Sequence, residues 1–361
     1  MMRIERLGLL FAPLALAAAC KKEKEEPRVD APKVAEVEPT RNAPQPPEPK
    51  RESGDQGGTK LIARIETCWG AFGAWDKETF RSCFADATEV GTVDGIPPNT
   101  MKSPQEVVVQ AGSFRNAFAD FKADLVLVLV NGSKVVALGL LSGTHEGGSL
   151  GIPPTHKPMS LYYAQVIEVD DQQRFVRERD YLDQTTLLHQ LGVQKSQVAP
   201  ASEQPWPERV RAAARNAGAE QTNIETFKAS FEARIKGDFN AAAAQYADDA
   251  VFRYAPEAEP YTGRAEIAKA TRDDSSQNTA LEGAVRDAWA AGNWVVAETT
   301  VKGKIARPLA GTKGTKGKKW EENSLELLEF AGGKVKRHLV FANSLKFAVD
   351  VGLIDAASVG G

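Results

Sequence analysis

The distribution of apolar residues predicts three helices at the start of the folded chain. In residues 59–75 apolar side chains recur every three or four positions, which is typical of one buried helix face: Leu61, Ile62, Ile65, Cys68, Trp69 and Phe72. Asp76 is a capping residue type and predicts a second, short helix after it. Ser103 and Glu106 have the capping-box spacing, which predicts a third helix.

Beyond residue 121 the pattern changes to that of β-strands. Residues 125–130 are an unbroken run of Leu and Val that is too short for a helix, and Asn131 and Gly132 after it predict a turn. Runs rich in β-branched and aromatic residues predict three more strands, at 134–141, 160–169 and 174–182. Because residues 125–130 have no polar face, we expect both faces of this strand to be covered.

The second half of the chain repeats this order of elements. Residues 194–207 are rich in Gln, Ser and Pro and are predicted to be a linker, and a short helix is expected at 207–217. The later elements are a helix at 223–236 and strands near 251–254, 294–297, 325–330 and 335–341. We therefore predict an α+β fold of two tandem domains, residues 59–193 and 208–356, related by internal duplication.

The N-terminal residues predict export and a membrane anchor. Two arginines precede an apolar run at 7–19 that is too short to span a bilayer permanently, so residues 1–19 have the layout of a signal peptide. Residues 16–20, Leu-Ala-Ala-Ala-Cys, resemble a bacterial lipobox, which implies that Cys20 becomes the lipidated first residue of the mature protein. An ordinary cleavage site with an incidental cysteine is the alternative.

The segment that follows is predicted to be a disordered tether. Residues 20–58 are dense in Pro, Glu and Lys and nearly free of large apolar side chains. With a lipid on Cys20, we expect a protein of the bacterial cell envelope that is anchored to a membrane. We expect this membrane to be the outer membrane, with the protein facing the periplasm. The net charge of −3 offers no electrostatic footprint for nucleic acid, so no nucleic-acid partner is expected.

Cys68 and Cys83 are the other two cysteines of the chain. Export to an oxidising compartment would allow them to form a disulfide bond. Two free thiols on the core faces of their helices are the alternative, since a free cysteine packs as a small apolar side chain. The sequence leaves both arrangements open.

Two stretches of the first half resemble a known family. Residues 143–155 contain Gly-Thr-His and then Leu-Gly-Ile-Pro-Pro-Thr, and residues 174–192 begin with Arg-Phe-Val, pass through Asp183 and end in Gln-Leu-Gly. Both are similar to motifs of the SnoaL-like polyketide cyclases, also called ester cyclases, of the nuclear transport factor 2-like superfold. The resemblance covers residues 59–193. It implies a cone-shaped domain, in which three helices close a pocket over a strongly bent, mostly antiparallel sheet.

The resemblance extends more weakly to the second half and implies two such domains. It also implies an acid/base carboxylate at the position of Asp183. When the halves are aligned, Asn343 stands opposite Asp183. Because an amide cannot act as a carboxylate base, we expect any catalytic activity to reside in the first half.

Asp183 has two interpretations. A carboxylate at the floor of an apolar cone can have a raised pKa and exchange protons near neutral pH. Asp183 also directly precedes a predicted helix, where a short acceptor side chain caps free N–H groups. Arg179, in the strand before it, stands where the family has an aromatic residue, and a salt bridge to Arg179 would keep a carboxylate ionised.

The remaining candidate site residues are a histidine and three aromatic residues. His145, in the Gly/Pro loop, is a candidate catalytic residue that would orient a substrate carbonyl, with a structural role as the alternative. Trp69, Tyr163 and Tyr181 are candidate ligand-binding residues, and filling a core is their alternative role. The sequence shows no metal or nucleotide motif, so no metal and no cofactor are expected.

These features leave two functions open. The first is a non-catalytic envelope module that binds a small apolar molecule or an envelope protein. The second is a cofactor-independent cyclase or isomerase that uses Asp183 as its general acid and base. We also expect the two domains to pack as an intrachain pseudo-dimer, because a bent sheet exposes an apolar face that one small domain cannot cover.

Overall fold

The apolar periodicities of the sequence correspond to helices and mostly antiparallel strands in each half of the chain. The computed structural model describes residues 55–148, 152–193, 209–255, 259–309 and 312–355. The predicted signal peptide, Cys20, most of the predicted tether and the whole predicted linker at 194–207 lie outside these residues. Within the described ranges, eight helices and two sheets form an α+β fold with two tandem domains. None of those helices is long and apolar enough to cross a membrane.

The first domain is a seven-stranded sheet with four helices. The helices are α1 (Asp55–Ala74), α2 (Lys77–Arg81), α3 (Pro104–Asn116) and α4 (Gln184–Gln190). The strands are β1 (Phe84–Thr92), β2 (Thr100–Met101), β3 (Lys122–Asn131), β4 (Lys134–Thr144), β5 (Pro158–Val169), β6 (Phe175–Tyr181) and β7 (Val210–Ala213). They are ordered β2-β1-β6-β5-β4-β3-β7, with β1–β6 and β3–β7 as parallel pairs.

The second domain repeats this arrangement with six strands. Its helices are α5 (Gly218–Ile235), α6 (Phe239–Ala243), α7 (Arg264–Ser275) and α8 (Ser344–Asp350). Its strands are β8 (Tyr246–Tyr254), β9 (Tyr261–Thr262), β10 (Asn278–Ala291), β11 (Trp294–Ile305), β12 (Lys319–Ala331) and β13 (Lys334–Phe341). The order is β10-β11-β12-β13-β8-β9, and the parallel pair β8–β13 corresponds to β1–β6.

Helix starts follow the capping residues that the sequence shows. Asp76 accepts a hydrogen bond from the Thr79 backbone N–H at 3.1 Å and caps α2. Ser103 accepts one from the Glu106 N–H at 3.3 Å and caps α3. A disulfide bond joins Cys68 on α1 to Cys83 just after α2. Of the two arrangements that the sequence leaves open, the structure contains the bridged one.

The segment after the linker differs from the prediction. The sequence predicts a short helix at 207–217, but Val210–Ala213 form strand β7 and pair in parallel with β3. The exposed edge of β3 offers a row of unpaired backbone groups, and pairing with it overrides the helical preference of an Ala- and Arg-rich segment. The first sheet therefore takes its last strand from beyond the linker.

A β-bulge in β3 decides which side chains face which layer. The pairing of β3 with β4 shifts register between Leu125 and Leu127. Strict alternation would place Leu125 on the same face as Leu127, but Leu125 packs with Val128 in the core under the helices. Val126 joins Leu127 on the opposite face. The bulge inserts one residue and so changes the face of every residue beyond it.

A second apolar layer lies between the two sheets, and we call it the interdomain cluster. Strands β3 to β6 of the first domain and β10 to β13 of the second contribute its buried side chains: Val126, Leu127, Leu129, Val136, Leu138, Ala164, Val166, Tyr181, Trp289, Ala291, Trp294, Val296, Leu325, Leu327 and Phe341. The face of β3 that is turned away from the helices is thereby covered by the second domain. Removing this apolar area from water stabilises the contact at about 25 cal/mol per Å² buried.

Candidate functional site

The first domain contains a cavity between its sheet and helices α1 to α3. The cavity has a volume of about 150 Å³. Aromatic rings form much of its wall: Trp69, Phe72, Phe80, Phe84, Phe114, Tyr163 and Phe175. A cavity of this volume accepts a molecule of about the size of benzene.

The position of Trp69 in the cavity wall depends on a glycine in β4. A Cβ atom at Gly139 would lie 2.2 Å from the Trp69 ring, closer than any side chain could tolerate. The absence of a side chain at Gly139 therefore lets α1 place the indole directly on the sheet. The ring centroid of Trp69 lies 6.0 Å from that of Tyr163 on β5. Two residues that the sequence predicts to bind a ligand thus lie together in the cavity wall.

One wall of the cavity carries a group of buried polar side chains. Tyr163 and Gln165 are two residues apart on β5, as are Glu178 and Asp180 on β6, and Gln165 pairs with Asp180. All four side chains therefore lie on the same face of the sheet and line the cavity. Glu178 is 4% exposed and Asp180 is 7% exposed. The Gln165 amide donates hydrogen bonds to Glu178 Oε1 and, at 3.3 Å, to the Tyr163 hydroxyl. We call these four residues the polar wall.

Two carboxyl oxygens of the polar wall have no hydrogen-bond partner among the residues that the structure describes. They are Oε2 of Glu178 and Oδ1 of Asp180, and both are buried. A buried acceptor without a partner costs about 1–3 kcal/mol, and a bound ligand is one way in which the missing partner is supplied. The cavity therefore has an apolar body and two acceptor positions at one end.

Burial opposes the ionisation of both carboxyl groups of the polar wall. Burial raises the pKa of Asp180 to about 6, although hydrogen bonds with Tyr163 and Glu178 oppose the rise. Burial, followed by the adjacent charge of Asp180, raises the pKa of Glu178 well above its usual range. Two acids this close cannot both ionise freely, and the pair releases its protons in two separate steps.

Asp183 lies outside the cavity and caps helix α4. Its Oδ2 accepts hydrogen bonds from the N–H of Thr186 at 2.8 Å and from the Thr186 hydroxyl at 2.5 Å. Its Oδ1 accepts from the N–H and hydroxyl of Ser344 in the second domain, at 2.8 and 2.7 Å. Burial raises the pKa of Asp183 despite these bonds. The carboxylate has no free face toward the cavity.

The capping arrangement at Asp183 is reciprocal between the domains. Asn343, which stands opposite Asp183 in the alignment of the halves, caps α8 through the Leu345 N–H at 3.3 Å. Its Oδ1 also accepts from the N–H of Gln184, the first residue of α4, at 3.2 Å. Each of the two residues therefore accepts hydrogen bonds from the start of both helices. We call this arrangement the capping pair.

Tyr181 and Arg179 lie on the face of β6 opposite the polar wall. The Tyr181 hydroxyl donates to Glu298 of the second domain at 2.7 Å. Arg179 makes two hydrogen bonds of 2.8 Å to the Glu298 carboxylate and one of 2.9 Å to Glu168. Tyr181 is therefore placed in the interdomain contact instead of the cavity. Arg179 pairs with neither Asp180 nor Asp183.

His145 is fully buried and does not line the cavity. Its Nδ1 accepts a hydrogen bond from the Thr155 N–H at 3.2 Å and lies 3.1 Å from the Thr155 hydroxyl. Its ring packs against Phe118 with centroids 5.5 Å apart. These contacts join the two sides of the Gly/Pro loop.

The interior of the second domain is nearly filled. The space between its sheet and helices has a volume of about 20 Å³, room for about one water molecule. His338 occupies the register position of Glu178, since Leu328 pairs with His338 as Ile167 pairs with Glu178. The space between the sheet and the helices is therefore a cavity in the first domain, whereas packed side chains fill it in the second domain.

A hydrogen-bonded chain crosses this second interior. Nδ1 of His338 lies 2.5 Å from the Tyr246 hydroxyl, and Nε2 of His338 lies 2.8 Å from Oε2 of Glu326. Burial opposes ionisation of Glu326, but the charge of Arg234 and the His338 contact lower its pKa to about 2. The ring nitrogens of His338 and the Glu326 carboxylate thus all have partners inside the domain.

Sequence reasoning found Tyr163 as a candidate ligand-binding residue but missed the other three members of the polar wall, Gln165, Glu178 and Asp180. Glu178 and Asp180 lie two residues apart in a predicted strand, which places both on one face, and Tyr163 and Gln165 have the same spacing in the neighbouring strand. This alternation was the signal that could have found them. Among the described residues, no group of three His, Cys, Asp or Glu side chains could hold a metal ion.

Comparison with solved structures finds relatives of low sequence identity. A putative hydroxylase from Streptomyces galilaeus, AclR, is 18% identical over 37% of this chain and 87% of its own, with a TM-score of 0.34. The putative polyketide cyclase IdmH from Streptomyces antibioticus is 17% identical over 36% of this chain and 98% of its own, with a TM-score of 0.33. Comparison with curated proteins yields no match.

Comparison with protein families finds a match in each half. Residues 66–191 match the family described as SnoaL-like polyketide cyclase. Residues 227–338 match the family described as SnoaL-like domain. Both matches lie within the two sheets and their helices. This chain therefore carries two SnoaL-like domains in tandem, one in each half.

Proposed function

We propose that this protein binds a small, mainly apolar molecule in the cavity of its first domain. The observation that carries the proposal is the cavity itself, which combines a wall of aromatic rings with two unpartnered carboxyl oxygens at one end. Binding sites for small molecules typically combine an apolar lining with a few polar groups that fix orientation. The second domain, with its filled interior, acts as a support for the first.

A second candidate function is proton-transfer catalysis at the same place. Its support is the carboxyl pair of Glu178 and Asp180, since a pKa near 6 for Asp180 is close to the value that general acid/base catalysis requires. In this form of the cyclase or isomerase hypothesis, the acid/base group is the carboxyl pair instead of Asp183. Binding is required by both functions, so it is the first property to test.

Filling the cavity is expected to abolish binding. Ala111 lines the cavity from α3, and in Ala111→Phe the added ring would occupy much of the 150 Å³ volume. We expect the affinity for benzyl alcohol, measured by titration calorimetry, to fall by roughly tenfold or more and toward the detection limit, because the added ring and the probe would compete for the same volume.

The matched control for this experiment is Val109→Phe on the same helix. Val109 is 62% exposed, so the added ring should leave binding unchanged. Equal affinities in the two variants, with both folded by circular dichroism, would show that the probe binds elsewhere. No measurable binding to the unmodified protein would contradict the proposal at its first step.

We propose further that the protein is a lipoprotein of the bacterial envelope. The proposal rests on the signal-like residues 1–19, on Cys20 and on the Pro/Glu/Lys-rich segment after it. The Cys68–Cys83 disulfide bond supports it, because such bonds persist in oxidising compartments and are rare in the cytosol. A partner protein in the envelope is compatible with this location, and the binding cavity does not depend on it.

Replacing Cys20 with Ser is expected to release the protein from membranes. Without a thiol at this position no lipid can be attached, and no other anchor is proposed. The measurement is the distribution of the protein between membrane and soluble fractions, with Lys24→Ser in the same segment as control. A Cys20→Ser variant that sediments with membranes as the parent does would show that the lipid anchor is absent.

A further inference from the structure

The charge of the cavity limits what it can bind. Of the side chains that line it, Glu178 and Asp180 are ionisable acids, and no Lys, Arg or His is among the described lining residues. Arg179, the nearest base in the same strand, points to the other face and is held by Glu168 and Glu298. The acidic pair therefore has no internal counter-ion.

At neutral pH this pair carries negative charge in an apolar environment. Asp180, with a pKa of about 6, is mainly ionised at pH 7. Burial and the charge of Asp180 raise the pKa of Glu178, and a cation bound beside both carboxyl groups would favour their ionised forms. The Asp180 carboxylate has hydrogen bonds with Tyr163 and Glu178, but no positive charge among the described lining residues compensates its negative charge. A ligand with a positive charge would compensate the negative charge of the acidic pair, whereas an anionic ligand would add repulsion.

The aromatic wall is suited to the same kind of ligand. Rings pack edge to face around the cavity, with centroid distances of 5.2 Å for Phe80–Phe84 and for Phe84–Phe175. Ring faces attract cations, by about 0.5–2 kcal/mol for each contact, so a lining rich in aromatic rings suits a cationic ligand. The apolar body of the same ligand would be buried against the remaining rings.

We propose that the cavity ligand is a small organic amine, bound in its protonated form. Its ammonium N–H groups would donate to Oδ1 of Asp180 and Oε2 of Glu178, the two buried oxygens that have no partner. Its apolar part would lie against the aromatic rings that line the cavity. This inference rests on the proposed function, because it names the chemical class of ligand for the same cavity.

The geometry favours a primary or secondary ammonium group. Two acceptor oxygens require two N–H donors, which a quaternary ammonium group lacks. Hydrogen bonds from a charged donor to a carboxylate contribute about 1.5–3 kcal/mol each, roughly twice the value for neutral partners. A neutral alcohol of the same size would bind through one hydroxyl and leave the second oxygen unpaired.

Three probes of one size test the proposal on the full chain. Benzylamine is cationic at pH 7.5, benzyl alcohol is neutral and benzoate is anionic, while their rings are identical. We expect benzylamine to bind roughly tenfold or more tighter than benzyl alcohol, which corresponds to about one charge-assisted hydrogen bond. We expect benzoate to bind weakest of the three.

Isosteric variants show whether the acids cause the preference. In Asp180→Asn and in Glu178→Gln, the ratio of amine affinity to alcohol affinity should fall several-fold or more. Both replacements remove an acid that is costly to bury, so neither should prevent folding, and having two variants guards against the failure of one. Glu89→Gln, an exposed carboxyl on the adjacent strand β1, is the matched control and should keep the parent ratio.

Each outcome has a distinct meaning. An amine that binds no tighter than the alcohol, or an amine preference that survives both Asp180→Asn and Glu178→Gln, would overturn the inference. If benzyl alcohol still binds in that case and loses binding in Ala111→Phe, the proposed cavity function stands. If none of the three probes binds, both the inference and the proposed function fail.

Discussion

Replacing Arg179 with Ala is expected to lower the free energy of unfolding by about 3–5 kcal/mol, the usual cost of leaving one member of a buried ion pair without its partner. Glu298 is 5% exposed and accepts two hydrogen bonds from Arg179 and one from Tyr181. Burial opposes its ionisation, but the hydrogen bonds and charge of Arg179 hold its pKa below the usual value. Urea denaturation followed by tryptophan fluorescence measures the loss.

Arg177 is the matched control for this experiment. It lies on the same strand, its side chain is 51% exposed, and its closest approach to Glu168 is 3.8 Å. Exposed pairs of this kind contribute about 0–1 kcal/mol, so Arg177→Ala should change stability little. Equal losses in Arg177→Ala and Arg179→Ala would show that the contact with Glu298 is not a stabilising feature of the domain contact.

A double variant separates the ion pair from its surroundings. Arg179→Met with Glu298→Leu replaces both charges by apolar groups of similar length. We expect it to recover a large part of the stability that Arg179→Ala loses, because replacing a buried ion pair by apolar groups is often neutral or favourable. The recovery would identify the unpaired Glu298 carboxylate as the cause of the loss.

Replacing Asp183 with Ala is expected to cost about 2–4 kcal/mol, because two helix N-termini lose a cap and each cap contributes about 1–2 kcal/mol. Asp183 accepts four hydrogen bonds, two from Thr186 in its own domain and two from Ser344 in the other. The expected loss of stability therefore includes the two hydrogen bonds to Ser344, which join the two domains. A second, earlier unfolding transition in calorimetry should appear as the domains become independent.

Asp238→Ala provides a single-cap comparison. Asp238 caps α6 through the Ala241 N–H at 2.9 Å, at an exposed position within one domain. Its loss should cost about 1 kcal/mol and leave one cooperative transition. If Asp183→Ala cost no more than Asp238→Ala, the bonds to Ser344 would contribute nothing. Unchanged benzyl alcohol binding in Asp183→Ala would agree with a cap outside the cavity.

The local elements could be predicted because their causes lie within a few residues. The apolar spacing of residues 59–75 and the capping residues Asp76 and Ser103 identify helices α1 to α3. Asn131 and Gly132 mark the turn between β3 and β4, since their backbone preferences act over two residues. The order of these elements, together with the family motifs, was enough for the α+β class and the duplication.

The site was harder to predict because one residue type serves two chemical roles. The motif draws attention to Asp183, and a short acceptor before a helix suits a cap as well as a base. Which role it takes depends on Ser344, 161 residues away, whose N–H binds the same carboxylate. Glu178 and Asp180 look like ordinary polar positions of a strand until the sheet and helices close around them.

The sequence by itself therefore determined the helices, most strands and the repeated order, because these follow from periodicity and local capping. Only the tertiary structure decided that Val210–Ala213 would add a strand to the first sheet, since the free edge of β3 outweighs local helical preference. It also decided which face of β3 meets the second domain, through a bulge between Leu125 and Leu127. Burial of the polar wall arises in the same way, because desolvation depends on packing between distant segments.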